Sequence, residues 1–223
     1  MKNFFVLYFL GMFLVNNCHS DSGIYVSGTI NANYLNGKHD FGSEKADGES
    51  PVKSFGFAPS VGAGYISFSG NKTYFGLEGS YTFKNQKKDV ALTPKDFPQE
   101  GKGQISHKSS MQAKGYFGIM LNPRVGVHAS LAFEKGNINI NYRELKFGTS
   151  TTEKYKKSYK VIIPGLGAIY RFNEKLFTSL NYNFIPYKKI KIRDINEKIN
   201  GANRSYSYKP SEHRLIISIS YKF

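Results

Sequence analysis

The last thirteen residues of the chain read SEHRLIISISYKF, from Ser211 to Phe223. From Leu215 to the end of this stretch every second position is apolar, namely Leu215, Ile217, Ile219, Tyr221 and Phe223. Polar or charged residues fill the positions between them, and only Ile216 interrupts that set. A period of two predicts a β-strand with one apolar face. Such a strand suits a barrel that closes inside a bilayer, where every backbone polar group must be paired.

The same alternation recurs seven times earlier in the chain. Apolar side chains occupy every second position within 24–34, 55–65, 75–83, 111–121, 125–133, 162–172 and 176–184. Short turns rich in Asn, Gly and Pro follow at 69–72, 122–124 and 173–175. Long polar stretches separate the other segments, at 35–54, 84–108, 143–160 and 187–210. We therefore predict an all-β fold, a transmembrane antiparallel up-and-down β-barrel of eight strands with short periplasmic turns and long extracellular loops.

The distribution of charge indicates that the barrel faces lipid. The alternating segments contain few acidic or basic side chains, although the whole chain has a formal net charge of +15. Each segment has one apolar face and one face of small or polar residues such as Gly, Ser, Asn and Thr. A soluble barrel would turn a charged face to water, so this pattern predicts a lipid-facing exterior and a packed polar lumen.

One segment departs from regular alternation. Phe133 lies at an odd position, whereas Ile138, Ile140 and Tyr142 lie at even positions. Gly136 stands between the two sets, and glycine is common at β-bulges. The sequence therefore predicts a bulge and a bend at Gly136, where the fifth strand leaves the membrane.

The N-terminus has the features of a secretory signal peptide. Lys2 supplies a positive charge, an apolar run extends from Phe4 to Val15, and small residues follow at Cys18 and Ser20. We predict a cleaved signal peptide over 1–20 and a barrel domain over 21–223. An alternative is a lipoprotein anchored at Cys18, although Asn16 and Asn17 depart from the usual pattern. Cleavage after Ser20 leaves a mature chain without cysteine, and export argues against nucleic acid as the partner of the basic residues.

The chain resembles a known family in its ending and its overall pattern. A terminal Phe223, with Tyr221 before it and apolar residues at alternate positions, resembles the C-terminal assembly signal of bacterial outer-membrane β-barrels. The whole pattern is similar to small eight-stranded outer-membrane barrels: outer membrane protein A, the opacity proteins and the surface-antigen barrels of intracellular Gram-negative bacteria. The motifs GIYVSG at 23–28 and FGLEGSY at 75–81 most resemble the surface-antigen group. The resemblance implies location in the outer membrane and recognition of the last strand by the barrel assembly machinery.

Two groups of polar residues fall on the predicted lumen faces. Glu78 and Lys114 lie on adjacent strands at comparable heights, so we expect an ion pair that plugs a lumen with room only for side chains. Arg214 is a further candidate member, and a switching role for the three residues together is an alternative to simple packing. His128 and Ser130 resemble the His-x-Ser of outer-membrane lipid A deacylases, but the alternation turns both toward the lumen and no acid partner follows. We therefore expect packing, not catalysis, and the five histidines predict neither a metal site nor a cofactor.

Positive charge is concentrated in the predicted loops. Three of them, 84–108, 143–160 and 187–210, contain more basic than acidic residues, while 35–54 is slightly acidic. We expect a surface antigen or adhesin, with a passive channel for small solutes and a lipid A hydrolase as the alternatives. The expected partners are outer-membrane lipid, including lipopolysaccharide where present, and an anionic host polysaccharide or receptor. Lysines near the membrane, such as Lys160, Lys188 and Lys209, suit lipid phosphate, whereas the predicted contacts with a polysaccharide are Lys154, Lys156, Arg193 and Lys198.

Overall fold

The structure is a computed structural model, and it describes residues 21–43, 46–69, 72–91, 102–146, 149–193 and 205–223. The predicted signal peptide over 1–20 lies outside these residues. Among the described residues, no helix is long and apolar enough to cross a membrane.

Nine strands make up the described chain. Their bounds are β1 Asp21–Ser43, β2 Ala46–Ser69, β3 Thr73–Ala91, β4 Lys102–Met120, β5 Val125–Lys146, β6 Thr149–Arg171, β7 Leu176–Pro186, β8 Ile190–Arg193 and β9 Ser205–Lys222. Consecutive strands from β1 to β7 pair antiparallel, and β1 also pairs with β9, which closes the sheet. β7 and β8 both pair with β9 and occupy one position in the wall. The predicted eight-stranded up-and-down barrel is confirmed.

Asparagine side chains shape two of the short turns. Asn122 Oδ1 accepts hydrogen bonds of 2.8 Å from the backbone amides of Arg124 and Val125. Asn173 Oδ1 does the same for Lys175 and Leu176, at 2.9 and 2.8 Å. Asparagine can satisfy the amides of a reversing chain in this way, which is why it is common in turns. These turns and both barrel termini lie at one end, called here the turn end; the opposite end is called the hairpin end.

Side chains alternate across the wall as predicted. The outward face carries a band of exposed large apolar residues on every wall position, including Ile24, Phe57, Leu131, Leu166 and Ile219. Toward the hairpin end, the band finishes at Tyr34, Phe55, Phe83, Met111, Phe133, Ile162, Phe184 and Leu215. Exposed apolar residues on this scale would be unfavourable in water, so the band marks the surface that contacts lipid.

The strands extend far beyond this band, which corrects the predicted limits of the loops. β1 and β2 remain paired up to Ser43 and Ala46, and β5 and β6 up to Lys146 and Thr149. Most of the predicted loops 35–54 and 143–160 therefore continue the strands as hairpins. The apolar alternation ends at the membrane boundary, whereas backbone pairing continues in water, and for that reason periodicity underestimated strand length.

The bulge predicted at Gly136 is wrong. Buried side chains continue at even positions from His128 through Gly136 to Ile140, so β5 keeps one register with β6. The extra residue lies on β4, where the pairing with β5 shifts between His107 and Ser110. Ile138 and Ile140 face inward because the lumen itself becomes apolar at this height.

Backbone pairing of the wall ends early at two places. β2 pairs with β3 only as far as Ser60 opposite Thr82, and β6 with β7 only as far as Gly165 opposite Asn183. The next residues are Pro59 and Pro164, whose nitrogens have no hydrogen to donate to a neighbouring strand. The gaps that follow, between β2 and β3 and between β6 and β7, are called here the two seams. Above them, that is toward the hairpin end, the described strands form a terminal sheet (β7, β8, β9, β1 and β2) and a middle sheet (β3 to β6).

The predicted assembly signal lies on the outside of the closing strand. Leu215, Ile217, Ile219, Tyr221 and Phe223 are exposed in the apolar band. The Phe223 amide donates a 3.0 Å hydrogen bond to the carbonyl of Ile24, so the last residue takes part in barrel closure. The Phe223 ring is 71% exposed and contacts Tyr221 edge to face, at 5.3 Å between ring centroids.

We predict that deletion of Phe223 leaves export intact but leaves unassembled chain in the periplasm. The deletion removes the exposed terminal ring and the last hydrogen bond to β1. Heat-modifiable mobility and protease resistance of the chain in isolated outer membranes measure assembly. Phe223→Tyr is the matched control, since it keeps an aromatic terminus. Wild-type amounts of assembled barrel from the deletion would contradict an assembly role for this residue.

Candidate functional site

Aromatic side chains close the lumen at the turn end. A buried cluster there consists of Tyr25, Ile66, Phe68, Tyr74, Tyr116, Ile169 and Phe177. Below it, Asp21 forms ion pairs with Arg171 and Lys222, and the Arg171 guanidinium lies 4.2 Å from the centre of the Phe68 ring. Glycine makes room for the rings: a Cβ at Gly76 would lie 2.1 Å from the Tyr116 ring.

Glu78 and Lys114 lie directly above this aromatic layer. They are directly opposite each other on β3 and β4, and Lys114 Nζ is 3.2 Å from Glu78 Oε1. The Tyr25 hydroxyl donates a 2.8 Å hydrogen bond to the other carboxylate oxygen. Both charged side chains are about nine-tenths buried, at 9% and 11% exposed. The two charged side chains and the Tyr25 hydroxyl thus occupy the lumen at this height.

His128 and Ser130 also face the lumen. His128 Nδ1 lies 2.8 Å from the Tyr74 hydroxyl, and Nε2 lies 2.7 Å from Asn181 Oδ1. The Asn181 amide nitrogen donates to Ser179, which fixes the Asn181 oxygen as the atom that faces His128. Nε2 of His128 therefore carries the hydrogen and donates it to Asn181 Oδ1, and Nδ1 accepts a hydrogen bond from the Tyr74 hydroxyl. Both ring nitrogens are thus engaged, and no described carboxylate bonds to the ring. This arrangement favours a packing role.

Arg214 lies apart from Glu78 and Lys114, which corrects the predicted grouping of the three. Its guanidinium contacts Glu134 Oε2 at 2.6 Å and Glu212 Oε1 at 3.0 Å. Its Nε donates a 3.0 Å hydrogen bond to Asn33. Sequence reasoning missed the two acidic partners, although Glu134 and Glu212 both fall at inward-facing positions of their strands.

Lys84 completes this upper ionic cluster, defined as Lys84, Glu134, Glu212 and Arg214. Lys84 Nζ lies 2.6 Å from Glu212 Oε2, which also accepts a 2.8 Å hydrogen bond from Tyr187. Tyr159 donates a 2.7 Å hydrogen bond to Glu134. Sequence analysis assigned Lys84 to a loop, whereas it lies on β3 and points inward.

The upper ionic cluster joins the two sheets above the seams. Arg214 and Glu212 belong to the terminal sheet, whereas Glu134 and Lys84 belong to the middle sheet. The Tyr159 and Tyr187 rings, 5.0 Å apart, also pack across the seam between β6 and β7. Side chains therefore connect the sheets where described backbone hydrogen bonds do not.

Burial and neighbouring charge control protonation above the membrane band. His107 is fully enclosed near Tyr187, and burial, with Lys84 adding to it, lowers the pKa of His107 to about 3. Burial alone would raise the pKa of Glu212, but Lys84 and Arg214 hold that pKa well below its usual range. The fold therefore keeps His107 neutral and Glu212 charged at neutral pH.

An apolar layer covers the upper ionic cluster toward the hairpin end. It consists of Val52, Ile105, Ile138, Ile140 and Tyr208, with Tyr155 and Tyr159 packed against it. The described lumen is thus filled by aromatic, polar, ionic and apolar layers in succession. Among the described residues, no group of His, Cys, Asp or Glu is arranged to hold a metal ion.

The structure describes only some of the four predicted polysaccharide contacts. Lys154 and Lys156 are exposed on β6, opposite Asn141 and Asn139 of β5. Arg193 is the last residue of β8, and only its backbone position is described. Lys198 lies outside the described residues. The structure thus brings Lys154 and Lys156 together on one face.

A charge-swap experiment tests the pair of Glu78 and Lys114. We expect Glu78→Lys or Lys114→Glu alone to lower the free energy of unfolding by about 3–5 kcal/mol, because each leaves like charges buried together. The double swap should recover much of this loss. Urea titration of the folded barrel in vesicles measures both effects. Additive losses in the double variant would rule out a direct interaction.

Acid should destabilise the barrel in two stages. The pKa of His107 is about 3 in the folded barrel and 6.5 for an ordinary histidine, so the unfolded chain binds the proton first and stability falls as the pH is lowered from 6.5 to 3. Glu212 has a lowered folded pKa, so its contribution is present above pH 4.5 and is lost as the pH falls below that value. We expect His107→Phe to lose less stability than the wild type between pH 6.5 and about 4.5, measured by urea titration against pH. An unchanged profile would exclude His107.

The fold agrees with the comparisons to known proteins. Residues 5–223 match the family model described as outer membrane protein beta-barrel domain. No curated protein sequence matches the chain.

Solved structures match at low identity. OprG from Pseudomonas aeruginosa is 12% identical with a TM-score of 0.55, covering 90% of this chain and 96% of its own. Neisserial surface protein A is 13% identical with a TM-score of 0.44, and the match covers 91% of this chain and 99% of that protein. The outer membrane protease OmpT from Escherichia coli is 10% identical with a TM-score of 0.44, and the match covers 90% of this chain and 97% of that protein. The chain belongs to the outer membrane protein beta-barrel domain family and is a barrel of the bacterial outer membrane.

Proposed function

We propose that this barrel is a surface antigen or adhesin that acts by binding, and that exposed lysines at the hairpin end capture an anionic polysaccharide. The observation behind the proposal is the outer face of the ribbon formed by β5 and β6. Lys154 and Lys156 stand there above the apolar band, and no described carboxylate pairs with either ammonium group. Cations exposed to water attract an anionic partner through interactions that salt screens.

The spacing of the two lysines suits a repeating ligand. Residues two apart on a strand point the same way and lie about 7 Å from each other. Opposite them on β5, Asn141 is partly exposed, whereas the side-chain oxygen of Asn139 is buried. Arg193 ends the short strand β8 at the same end of the barrel. The partner proposed is therefore a sulfated or otherwise anionic polysaccharide of a host cell.

The lumen supports binding over the two alternatives. A passive channel needs a continuous open path, whereas the described lumen is packed with side chains from the aromatic layer to the apolar layer. A lipid A hydrolase needs a base and a nucleophile that reach lipid, whereas His128 and Ser130 are buried in the lumen. The outer surface is consequently the better candidate for activity.

Neutralising the four predicted contacts tests this function. We expect Lys154→Gln, Lys156→Gln, Arg193→Gln and Lys198→Gln together to abolish binding of barrel-bearing vesicles to immobilised heparin at physiological salt. Insertion, measured by heat-modifiable mobility, should be unaffected. In the control, Lys72, Arg124 and Lys175, which are exposed at the turn end, are each replaced by Gln, and heparin binding should remain. Unchanged heparin binding in the first variant would overturn the proposal.

A further inference from the structure

The upper part of β6 is paired along one edge only among the described strands. On one side, β6 pairs with β5 as far as Thr149 opposite Lys146. On the other side, its pairing with β7 ends at Gly165. β8 continues the wall position of β7, yet every Cα atom of β8 lies more than 8 Å from every Cα atom of β6. Paired strands are only about 4.8 Å apart, so β6 and β8 leave a gap between them.

This gap is wide and open. A strand inserted between two others needs two strand spacings, or about 9.6 Å. The edge of β8 that faces the gap has no described strand beside it, since β8 pairs with β9 alone. Lys157 falls at an inward-facing position opposite Ile138, but Lys157 is exposed whereas Ile138 is fully buried. An open gap between two strand edges is a place where an extended peptide can join the sheet.

The direction of the β6 amides can be read from the turn end. The Arg171 amide donates a 2.8 Å hydrogen bond to the Arg124 carbonyl on the β5 side, and the Phe172 amide donates one of 3.0 Å to Leu176 on the β7 side. Amide direction alternates along a strand, and β6 keeps one register with β5, so even-numbered residues face the gap. Pro164 agrees with this assignment, because it is even-numbered and has no amide hydrogen for β7. The amides that face the gap above it are those of Lys154, Lys156, Ser158, Lys160 and Ile162.

The side chains along this edge select the chemistry of the partner. Lys154, Lys156 and Lys160 are exposed on the outer face of β6, and no described carboxylate pairs with them. On the inner face, Tyr155 and Tyr159 pack against the apolar layer. Opposite charges at facing positions stabilise an antiparallel pair. A matching strand therefore alternates acidic residues on the outer face with apolar residues on the inner face.

We propose that the edge of β6 binds an extended acidic segment of a partner protein, which adds to the sheet as an antiparallel strand in the gap between β6 and β8. Uncovered strand edges promote pairing with other chains, so proteins usually shorten or cover them. The lysines of β6 would repel the same edge of a second copy, whereas they attract an acidic chain. This inference goes beyond polysaccharide binding and does not depend on it, because it requires pairing with the backbone amides of β6.

A synthetic peptide tests the interaction. The full barrel in phosphatidylcholine nanodiscs is titrated with a short, capped, fluorescent peptide of alternating glutamate and valine, and anisotropy gives the Kd. Ser158→Pro removes one amide hydrogen that faces the gap and leaves the hydrogen bonds to β5 in place. Ser158→Ala is the matched control, since both variants lose the hydroxyl that donates to Asn137. We expect the proline variant to bind the peptide about tenfold more weakly than the alanine variant. Heparin binding should be equal in the two variants, because both keep every lysine.

A modified peptide gives an independent test on the wild-type barrel. Facing residues of an antiparallel pair lie on the same side of the sheet, so the glutamate amides of the peptide face the gap-facing amides of β6. Methyl groups on the glutamate backbone nitrogens keep every side chain but remove these hydrogens, and we expect about tenfold weaker binding.

Heat-modifiable mobility verifies that each barrel is folded, and if Ser158→Pro does not fold, the methylated peptide decides alone. Equal binding of the plain and methylated peptides, or equal binding by the folded proline and alanine variants, would overturn the proposal and assign the attraction to charge alone.

Discussion

Two buried ion pairs determine how the upper half of this barrel is held together. Arg214 with Glu134, and Lys84 with Glu212, connect sheets whose backbone pairing has already ended at Pro59 and Pro164. Burying four charges is costly, and the attraction between them offsets that cost only where the geometry is good and further hydrogen bonds are present. The tyrosine hydroxyls that bond to both carboxylates meet this condition. Apolar packing would tolerate small shifts between the sheets, whereas these ion pairs accept one relative position.

The sequence predicted the membrane-embedded part of the fold well because lipid imposes a strict period of two. It predicted the upper part less well because no such constraint acts there. Ile138 and Ile140 were assigned to a bulged segment because the apolar residues move there from odd to even positions. A bulge would produce that shift, but so does a lumen that becomes apolar above the membrane, which is what the structure has. Lys84 was assigned to a loop because pairing continues where apolar alternation stops. The partners of Arg214 depend on which strands face each other across the lumen, and the sequence of one strand does not contain that information.

Glu78 and Lys114 were easier to associate, because adjacent antiparallel strands joined by a long connection keep residues of equal height opposite each other. Arg214 pairs instead across the lumen, with β5. Neighbour relations in the wall were therefore accessible from the sequence, whereas relations across the lumen required the register of the closed barrel.

The same alternation that builds the wall also sorts its charges. Inward-facing charges in the described lumen have partners of opposite sign, so the interior gains fixed geometry without a net attraction for external ions. Among the outward-facing lysines beyond the apolar band, Lys135, Lys160, Lys154 and Lys156 form no ion pair with a carboxylate that the structure describes. Lys135 and Lys160 form the first outward-facing pair beyond the apolar band, whereas Lys154 and Lys156 lie further along β6 toward the hairpin end. A single ribbon of two strands therefore presents positive charge at two heights, and the height of each lysine determines which anion it can reach.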